Sequence, residues 1–519
     1  FNAYGSLAAR TDLDAIIHLG DYIYEYENFQ YGSDSVWNDR LVEPAEEIIS
    51  LFDYRARYST YRLDTNLLRL HQQHPMIAIW DDHETANDAW KDGAENHNEG
   101  EGEWNDRLSQ ARKAYFEWMP LRDVDNGRVY RSIRYGDVAD LILLDTRIEG
   151  REQQINSILD TALYAPDRTL LGSEQKSWFF DQLRNSTARW KIIGQQVIFS
   201  EFNVGWAGQV TGASFEATES IFLDIWDGYP AERQQVISFI DTNNIDNVVL
   251  LTGDFHSTFA YDVAAQPVDL QFREIPGVGP LPFYDPSPGY VPETGAGAVA
   301  VEFATPSICS ANFDENLDLT TALGLQFQIN RPILVGEGVN LGNPNPHMKV
   351  VDLTQHGYFI LDVKPDSVQA DYFYTPILEE RVAETFGSAA YTMNGENHLN
   401  LAMAPTGPKV VQDVPAPLTP PEKPSAVADP AALPGFRVLA LYPNPADRVV
   451  NLQYALNQRT DLRIDLTDVN GRVLRQLTSG AKPAGLYTLQ TDLTGLPGGT
   501  YFYRISDGVD QTTQALLKR

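Results

Sequence analysis

Five apolar runs punctuate the first half of the chain, and each adjoins a polar cluster. Ala15-Ile16-Ile17 leads into His18-Leu19-Gly20-Asp21-Tyr22-Ile23-Tyr24, and Met76-Ile77-Ala78-Ile79-Trp80 into Asp81-Asp82-His83-Glu84. Leu141 to Leu144 precedes Asp145-Thr146-Arg147, Ile192 to Phe199 follows Trp190-Lys191, and Val248 to Leu251 precedes Thr252-Gly253-Asp254-Phe255-His256. Short branched runs bounded by turn residues predict buried strands. Helical spacing appears between them, over Arg107 to Trp118 and Ser173 to Arg184. In the second helix Trp178, Phe179 and Leu183 join Leu170-Leu171 on one apolar face. The pattern up to residue 403 is therefore α/β, and in such folds ligands gather beyond the strand ends, where residues distant in sequence converge.

The pattern changes twice after that. Residues 404–436 hold nine prolines and few large apolar residues, which predicts an extended linker. Residues 437–519 alternate in short runs, Val449 to Tyr454, Leu462 to Leu466, Gly485 to Leu489 and Thr500 to Ile505, with a turn at Asn470-Gly471. Such spacing predicts a small β-sandwich.

Charge narrows the partners. The 519 residues carry 71 acidic and 39 basic side chains, a formal charge of -32, which disfavours nucleic acid backbones and anionic membranes. Bound cations suit this balance, as does a plain soluble surface. Cys309 is the only cysteine, so no intrachain disulfide forms, and its Pro-Ser-Ile-Cys-Ser setting predicts a buried small residue rather than a nucleophile. No stretch approaches the roughly 20 apolar residues that span a bilayer. The chain begins with Phe1 and no secretory signal opens it, so it is expected to be a processed or truncated piece.

The clusters suggest a chemistry. Asp21 and Tyr24 offer oxygen ligands to a hard cation, a phenolate favouring ferric iron, although Asp21 also suits a plain turn. Asp81, Asp82 and Glu84 would repel one another without cations; the bland alternative is a helix start capped by Asp82. Asn87 and Asp88 follow closely, and Asp254 and His256, two apart after a strand, can clasp one ion. Arg147 suits phosphoryl oxygens or an internal ion pair. His71 and His74 read as a solvated helix end, Asp92 to Asp106 as a mobile lid or surface loop, and either His347 or His356 as a further approach to the site.

In this order, His18-Leu19-Gly20-Asp21-Tyr22-Ile23-Tyr24-Glu25, Trp80-Asp81-Asp82-His83-Glu84, Leu144-Asp145-Thr146-Arg147 and Leu251-Thr252-Gly253-Asp254-Phe255-His256 resemble the PhoD-like metallophosphatases, the alkaline phosphatase D family, with Trp226-Asp227-Gly228-Tyr229-Pro230 in support. The resemblance implies a four-layer α/β/β/α sandwich over residues 1–403 and a site of iron (Fe3+) with calcium (Ca2+), other divalent metals being alternatives. It implies that Asp21 and Asp82 bridge ions, that Tyr24 binds iron, that Asp254 and His256 are terminal ligands, and that Asn87 or Asp88 lies nearby. His83 would contact phosphate or leaving group, and Arg147 the phosphoryl oxygens. The family's first strand carries a Ser-Cys segment whose cysteine is an iron ligand; it has no counterpart here, which implies a fragment lacking that strand.

Residues 437–519 resemble the C-terminal sorting domain of the type IX secretion route, through Leu441-Tyr442-Pro443-Asn444-Pro445-Ala446, Asp468-Val469-Asn470-Gly471 and Leu496-Pro497-Gly498-Gly499-Thr500-Tyr501. This implies an Ig-like sandwich, contact with that secretion machinery, and a secreted or cell-surface protein of a Gram-negative bacterium. The expected activity is hydrolysis of small phosphate mono- or diesters by a metal-activated hydroxide or oxide. The alternatives are a diesterase-preferring enzyme and a non-catalytic calcium-stabilised binding or adhesion protein.

Overall fold

All five apolar runs contain strands; alternate residues of the last three face two different cores, while the first two runs pack on one of them. The computed structural model describes residues 1–31, 41–122, 127–336, 338–379, 383–416, 436–456, 458–469, 471–508 and 511–519. Two compact units result, Phe1–Ala416 and Pro417–Arg519.

In the first unit the strands are β1 (Ile16–His18), β2 (Met76–Ala78), β3 (Arg131–Tyr135), β4 (Ala139–Leu143), β5 (Trp190–Gln195), β6 (Val248–Thr252), β7 (Thr258–Ala264), β8 (Val268–Ile275), β9 (Gly279–Pro286) and β10 (Ala298–Ala304). They continue with β11 (Leu334–Val335), β12 (Val339–Asn340), β13 (Met348–Asp352), β14 (Gly357–Val363), β15 (Ser367–Tyr374), β16 (Thr385–Met393) and β17 (Asn400–Ala402). A seven-stranded sheet has the order β13-β7-β10-β6-β5-β4-β3. Its central neighbours β4, β5, β6 and β10 run parallel, so their C-terminal ends share one edge.

Register explains the two cores. Leu141, Ile192, Val249 and Val301 stand in one row across the sheet and belong to one apolar cluster. Ile142, Ile193 and Leu250 form the neighbouring row and belong to the other. Each such side chain contributes about 1.5–3 kcal/mol on burial. The first cluster is closed by the parallel pair β1-β2 and the antiparallel sheet β14-β15-β16-β17, through Ile16, Ala78, Tyr358, Val368 and Tyr372. Helices Leu51–Tyr61, Thr65–Gln73 and Trp104–Trp118 pack on it with Tyr54, Leu67 and Tyr115. The second cluster is covered by helices Gly172–Asn185 and Pro230–Thr242, through Phe179, Leu183, Val236 and Ile240. Among the described residues β1 pairs only with β2 and β14 only with β15, and both line a cavity of about 1800 Å³ that also reaches Leu141, Ile192 and Leu251.

Several local readings change. The expected helix Ser173 to Arg184 holds, with Phe179 and Leu183 each 1% exposed, while Trp178 is only partly buried and meets the Tyr130 ring at a tilt, centroids 4.8 Å apart. Asp82 caps no helix: its carbonyl accepts from Thr85 N at 2.6 Å and Ala86 N at 2.7 Å in a turn. Cys309 is exposed rather than buried, because the segment after β10 leaves the core for the surface of the large cavity. The acidic stretch is pinned at Asn96 and Glu101, which accept from buried Arg107 at 2.8 and 2.9 Å, and its last residues already belong to a helix. The early part of the proline-rich stretch lies on the first unit, where Thr406 N donates to Asp371 and Lys409 bonds Asp14. Its remainder, residues 417–435, falls outside the described residues, as does Asn470 of the expected turn.

The second unit is all β. Its strands β18 (Phe436–Tyr442), β19 (Val449–Leu456), β20 (Thr460–Thr467), β21 (Val473–Lys482), β22 (Gly485–Asp492), β23 (Gly499–Ser506) and β24 (Gln511–Lys518) form two sheets, β18-β19-β22 and β21-β20-β23-β24. Alternation puts Val450, Leu452, Tyr454, Leu462, Ile464, Leu466, Tyr503 and Ile505 in its core.

Candidate metal centre

The segments leaving β1, β2, β4 and β6 meet at one edge of the two sheet layers. Gly20 makes this possible: at φ +121° a Cβ there would stand 2.2 Å from Asp81 Cβ. Glu84, 1% exposed, ties the first two segments together by accepting from Asp81 N (2.7 Å), Asp21 N (3.1 Å) and Tyr22 N (2.5 Å). Seven non-glycine residues among those described have positive φ, and four lie here: Asp21, Asp88, Asp254 and His256. Backbone strain of this kind gathers at functional sites.

Ligand atoms of Asp21, Asp82 and His83 lie within 4.8 Å of one another, and so do those of Asp81, Asp82 and Asp254. Asp21, Asp82, His83, Asp88, Asp224, Asp254 and His256 share a hollow of about 260 Å³, and the large cavity approaches Asp21, Tyr24, Asp254 and His256. Burial, followed by neighbouring carboxylates and partly opposed by Arg147, raises the pKa of Asp81 well above normal and that of Asp254 to about 6. Burial also raises Asp82, against Arg147 and His83, and carries Asp88 to about 8. Burial pushes Asp21 up too, but His83 and His256 hold it at about 2.

Both expected histidines are in place. His83 donates from Nδ1 to Glu25 Oε2 at 2.6 Å, and Glu25, fully buried, also accepts from Asn87 N and Asn96 Nδ2. Burial opposes charge on His83, yet Glu25, Asp82 and Asp21 raise its pKa well above normal, which favours the protonated ring. His256 donates from Nδ1 to Ala311 O at 2.8 Å, which leaves Nε2 facing Tyr24 OH at 3.2 Å and Asp21 at 3.8 Å. Tyr24 OH donates to Ser310 Oγ at 2.7 Å, and burial and Asp21 raise its pKa well above the ordinary value.

Two expectations are revised. Arg147 is fully buried, with Nε on Asp81, Nη1 on Asp224 at 2.6 Å and Nη2 on Asp254, so its donors hold carboxylates and face no phosphoryl group. Asn87 and Asp88 both line the hollow as expected; the Asn87 amide nitrogen donates to Glu95 at 3.2 Å, and Asp88 N donates to Asp82 at 2.6 Å. His74 is buried and bonds Leu7 O, His71 bonds Tyr22 OH, and His347 bonds Glu201 O, none of them at the centre. His356 connects to it indirectly, through Ser307, whose N donates to His256 O at 3.0 Å, and through Glu315, which accepts from Asn312 N at the rim of the hollow.

Glu25, Glu84 and Asp224 take structural parts that sequence reasoning missed. Glu25 and Glu84 stood inside the quoted clusters; Asp224, held by Arg147, Arg151 and Gln154, is a lone acid with no periodic signal.

The donor set suits hard cations, being carboxylate oxygens with one imidazole and one phenol. Asp21 Oδ1 and Asp81 Oδ2 are buried acceptors without a hydrogen-bond partner, as coordinating oxygens would be before an ion binds. The residues therefore fit metal ions.

Residues 440–519 match the family described as secretion system C-terminal sorting domain, which makes this a secreted or cell-surface protein of the type IX route. Among the described residues no helix is long and apolar enough to cross a membrane. Alkaline phosphatase D of Bacillus subtilis (strain 168) is 40% identical over 269 residues, 50% of this chain and 44% of that protein, so the match spans less than half the relative's length. A solved structure titled "Structure of PhoD" superposes with a TM-score of 0.58 at 29% identity, covering 78% of this chain and 69% of that one, and shares its mixed α/β fold. Residues 1–372 match the family described as PhoD-like phosphatase, and the chain belongs to that family.

Proposed function

We propose that the centre hydrolyses phosphate esters, with cations held by Asp21, Asp82, Asp254, His256 Nε2 and the Tyr24 oxygen, and with Asp88 beside them. The observation that carries this reading is the meeting of three carboxylates from three separate strand ends in one hollow with His83 and His256. Iron suits the phenol oxygen and calcium the carboxylates, other divalent ions fitting the same oxygens. Such cations, when bound, lower the pKa of water and neutralise phosphoryl oxygens.

The chain's own groups supply the rest. Glu25 holds His83 Nδ1, so Nε2–H is the donor free to serve the reaction. A water oxygen bonds to phosphorus as the ester P–O bond breaks, and the His83 Nε2 proton passes to the leaving oxygen; general acids of this kind contribute about 10²–10⁴-fold. Arg147 holds Asp81, Asp224 and Asp254 in position.

The same reading assigns residues 1–403 to a four-layer α/β/β/α sandwich, 404–436 to a linker, and 437–519 to an Ig-like domain that the type IX machinery engages. Monoesters and diesters both fit a site of this type. The test is turnover of 4-nitrophenyl phosphate and bis(4-nitrophenyl) phosphate by protein reconstituted with iron and calcium. Activity that disappears on chelation and returns with metal is expected; undiminished turnover after exhaustive chelation sinks the reading. The ratio between the two substrates assigns the ester preference.

A further inference from the structure

One wall of the small hollow is apolar. Phe222, Phe255 and Phe313 line it beside Asp21, Asp82 and Asp254, together with Ile221, which is 63% exposed. The three rings touch one another, with centroids 5.0 Å apart for Phe222 and Phe255 and 6.0 Å for each pair with Phe313. All three are only partly buried. Beneath them Phe202, 2% exposed, packs edge-on against Phe222 at 5.5 Å and Phe255 at 5.1 Å, and fully buried Phe259 supports Phe255 from 5.5 Å. Phe222 and Phe255 thus stand on an aromatic floor, and Phe313 packs against both of them. Apolar surface held open at the mouth of a charged hollow marks a contact with an apolar group.

We propose that Phe222, Phe255 and Phe313 form a subsite for the esterified group of the substrate, so that the preferred phosphate esters carry an aryl or alkyl group. This rests on the phosphatase reading of the adjoining carboxylates and names the substrate class that reading leaves open. The acidic side of the hollow receives the phosphoryl group and the aromatic side its apolar substituent. A polyol ester gains nothing from this wall and loses hydration against it.

The experiment uses the full metal-reconstituted chain, with Phe222→Ala, Phe313→Ala and Phe313→Leu. Turnover is compared on 2-naphthyl phosphate and glycerol 2-phosphate. Affinity is measured by calorimetry for 2-naphthylphosphonate, hexylphosphonate and methylphosphonate, which do not turn over. Leaving-group reactivity is common to wild type and variants, so it cancels from the change in ratio. Each alanine variant is expected to lower the naphthyl-to-glycerol ratio of kcat/KM, and the naphthyl-to-methyl ratio of affinities, about tenfold. Phe313→Leu keeps most of both. Whichever of the naphthyl and hexyl ligands loses more affinity is the better occupant. Ratios left unchanged by the alanine variants overturn the subsite, as do equal losses on polar and apolar probes. Wild type that prefers the apolar phosphonates but hydrolyses neither ester leaves the subsite standing and overturns the phosphatase reading instead; hydrolysis without apolar preference does the reverse.

Discussion

Two clusters of acids in the first unit meet the same distance criterion for holding an ion. The ligand atoms of Asp81, Asp82 and Asp254 lie within 4.8 Å of one another, and so do those of Asp314, Glu315 and His356. Their surroundings differ. Asp81 and Asp82 are 1% and 2% exposed, share a single buried arginine, and leave Asp81 Oδ2 without a partner. Glu315 is a capping residue of the short helix Phe313–Asn316, accepting from Asn312 N at 2.8 Å and from His356 at 3.0 Å, and its side chain is 35% exposed. Asp314 Oδ1 is buried without a partner as well, so an orphaned oxygen does not separate the two. Depth does: Asp81 and Asp82 are almost out of reach of water, whereas Glu315 is committed to a helix cap and partly exposed, and spacing alone selects both clusters.

The largest effect expected from this contrast is on turnover. Asp82→Asn is predicted to lower kcat a thousandfold or more, a loss of about 4 kcal/mol in transition-state stabilisation. The metal-free variant should melt no lower than the metal-free parent, because burial and like charges raise the Asp82 pKa in the folded state. A cooperative transition that disappears in the variant would instead favour ions of purely structural importance.

Arg147→Met tests the other half of the cluster. It leaves Asp81, Asp224 and Asp254 buried without their cation, and removing one partner of such a pair costs about 3–5 kcal/mol. Urea unfolding of the metal-free protein measures this directly. An unchanged midpoint would mean that these carboxylates are already protonated and need no counter-charge.

Metal removal sharpens the contrast further. At calcium a hundredfold above the dissociation constant, binding stabilises the first unit by about 2.7 kcal/mol, and chelation removes that. Asp82→Asn should abolish the calcium response of the melting curve while Glu315→Gln preserves it. The reverse pattern would exchange the roles of the two clusters.

How far this was legible in the sequence depends on the residue. Asp21, Asp82, His83, Asp254 and His256 announced themselves because each ends or follows an apolar run, and strand ends are where parallel sheets gather ligands. Arg147 was legible in position but not in partners: whether a guanidinium faces phosphate or carboxylate depends on Asp224, 77 residues away, which no local pattern marks. The same reason hid the bond from the Asn87 amide nitrogen to Glu95. In the second unit, four strands followed from alternation. β18, β21 and β24 did not: Leu439 stands on the exposed side of β18, Leu474 and Leu477 fall three apart in β21, and β24 opens with Gln511-Thr512-Thr513-Gln514.

The smallest expected effect belongs to the capping cluster. Burial pushes the Glu315 carboxyl up, but the hydrogen bond from His356 and the cap from Asn312 bring it down to about 2 from the ordinary 4.5. A carboxylate whose pKa is depressed on folding stabilises the native state above its unfolded pKa, and that contribution fades as pH falls from 4.5 toward 2. Glu315→Gln retains an acceptor for the Asn312 cap and loses only the negative charge that faces His356. Because the pair is partly exposed, water screens it, and the variant should lose under about 1 kcal/mol near neutrality. The difference from wild type should shrink as the pH drops through that window, and kcat should stay within about twofold, inside the scatter expected of a surface ion pair. A large loss of turnover in this variant would place a second functional ion at the cap and dissolve the distinction between the two clusters.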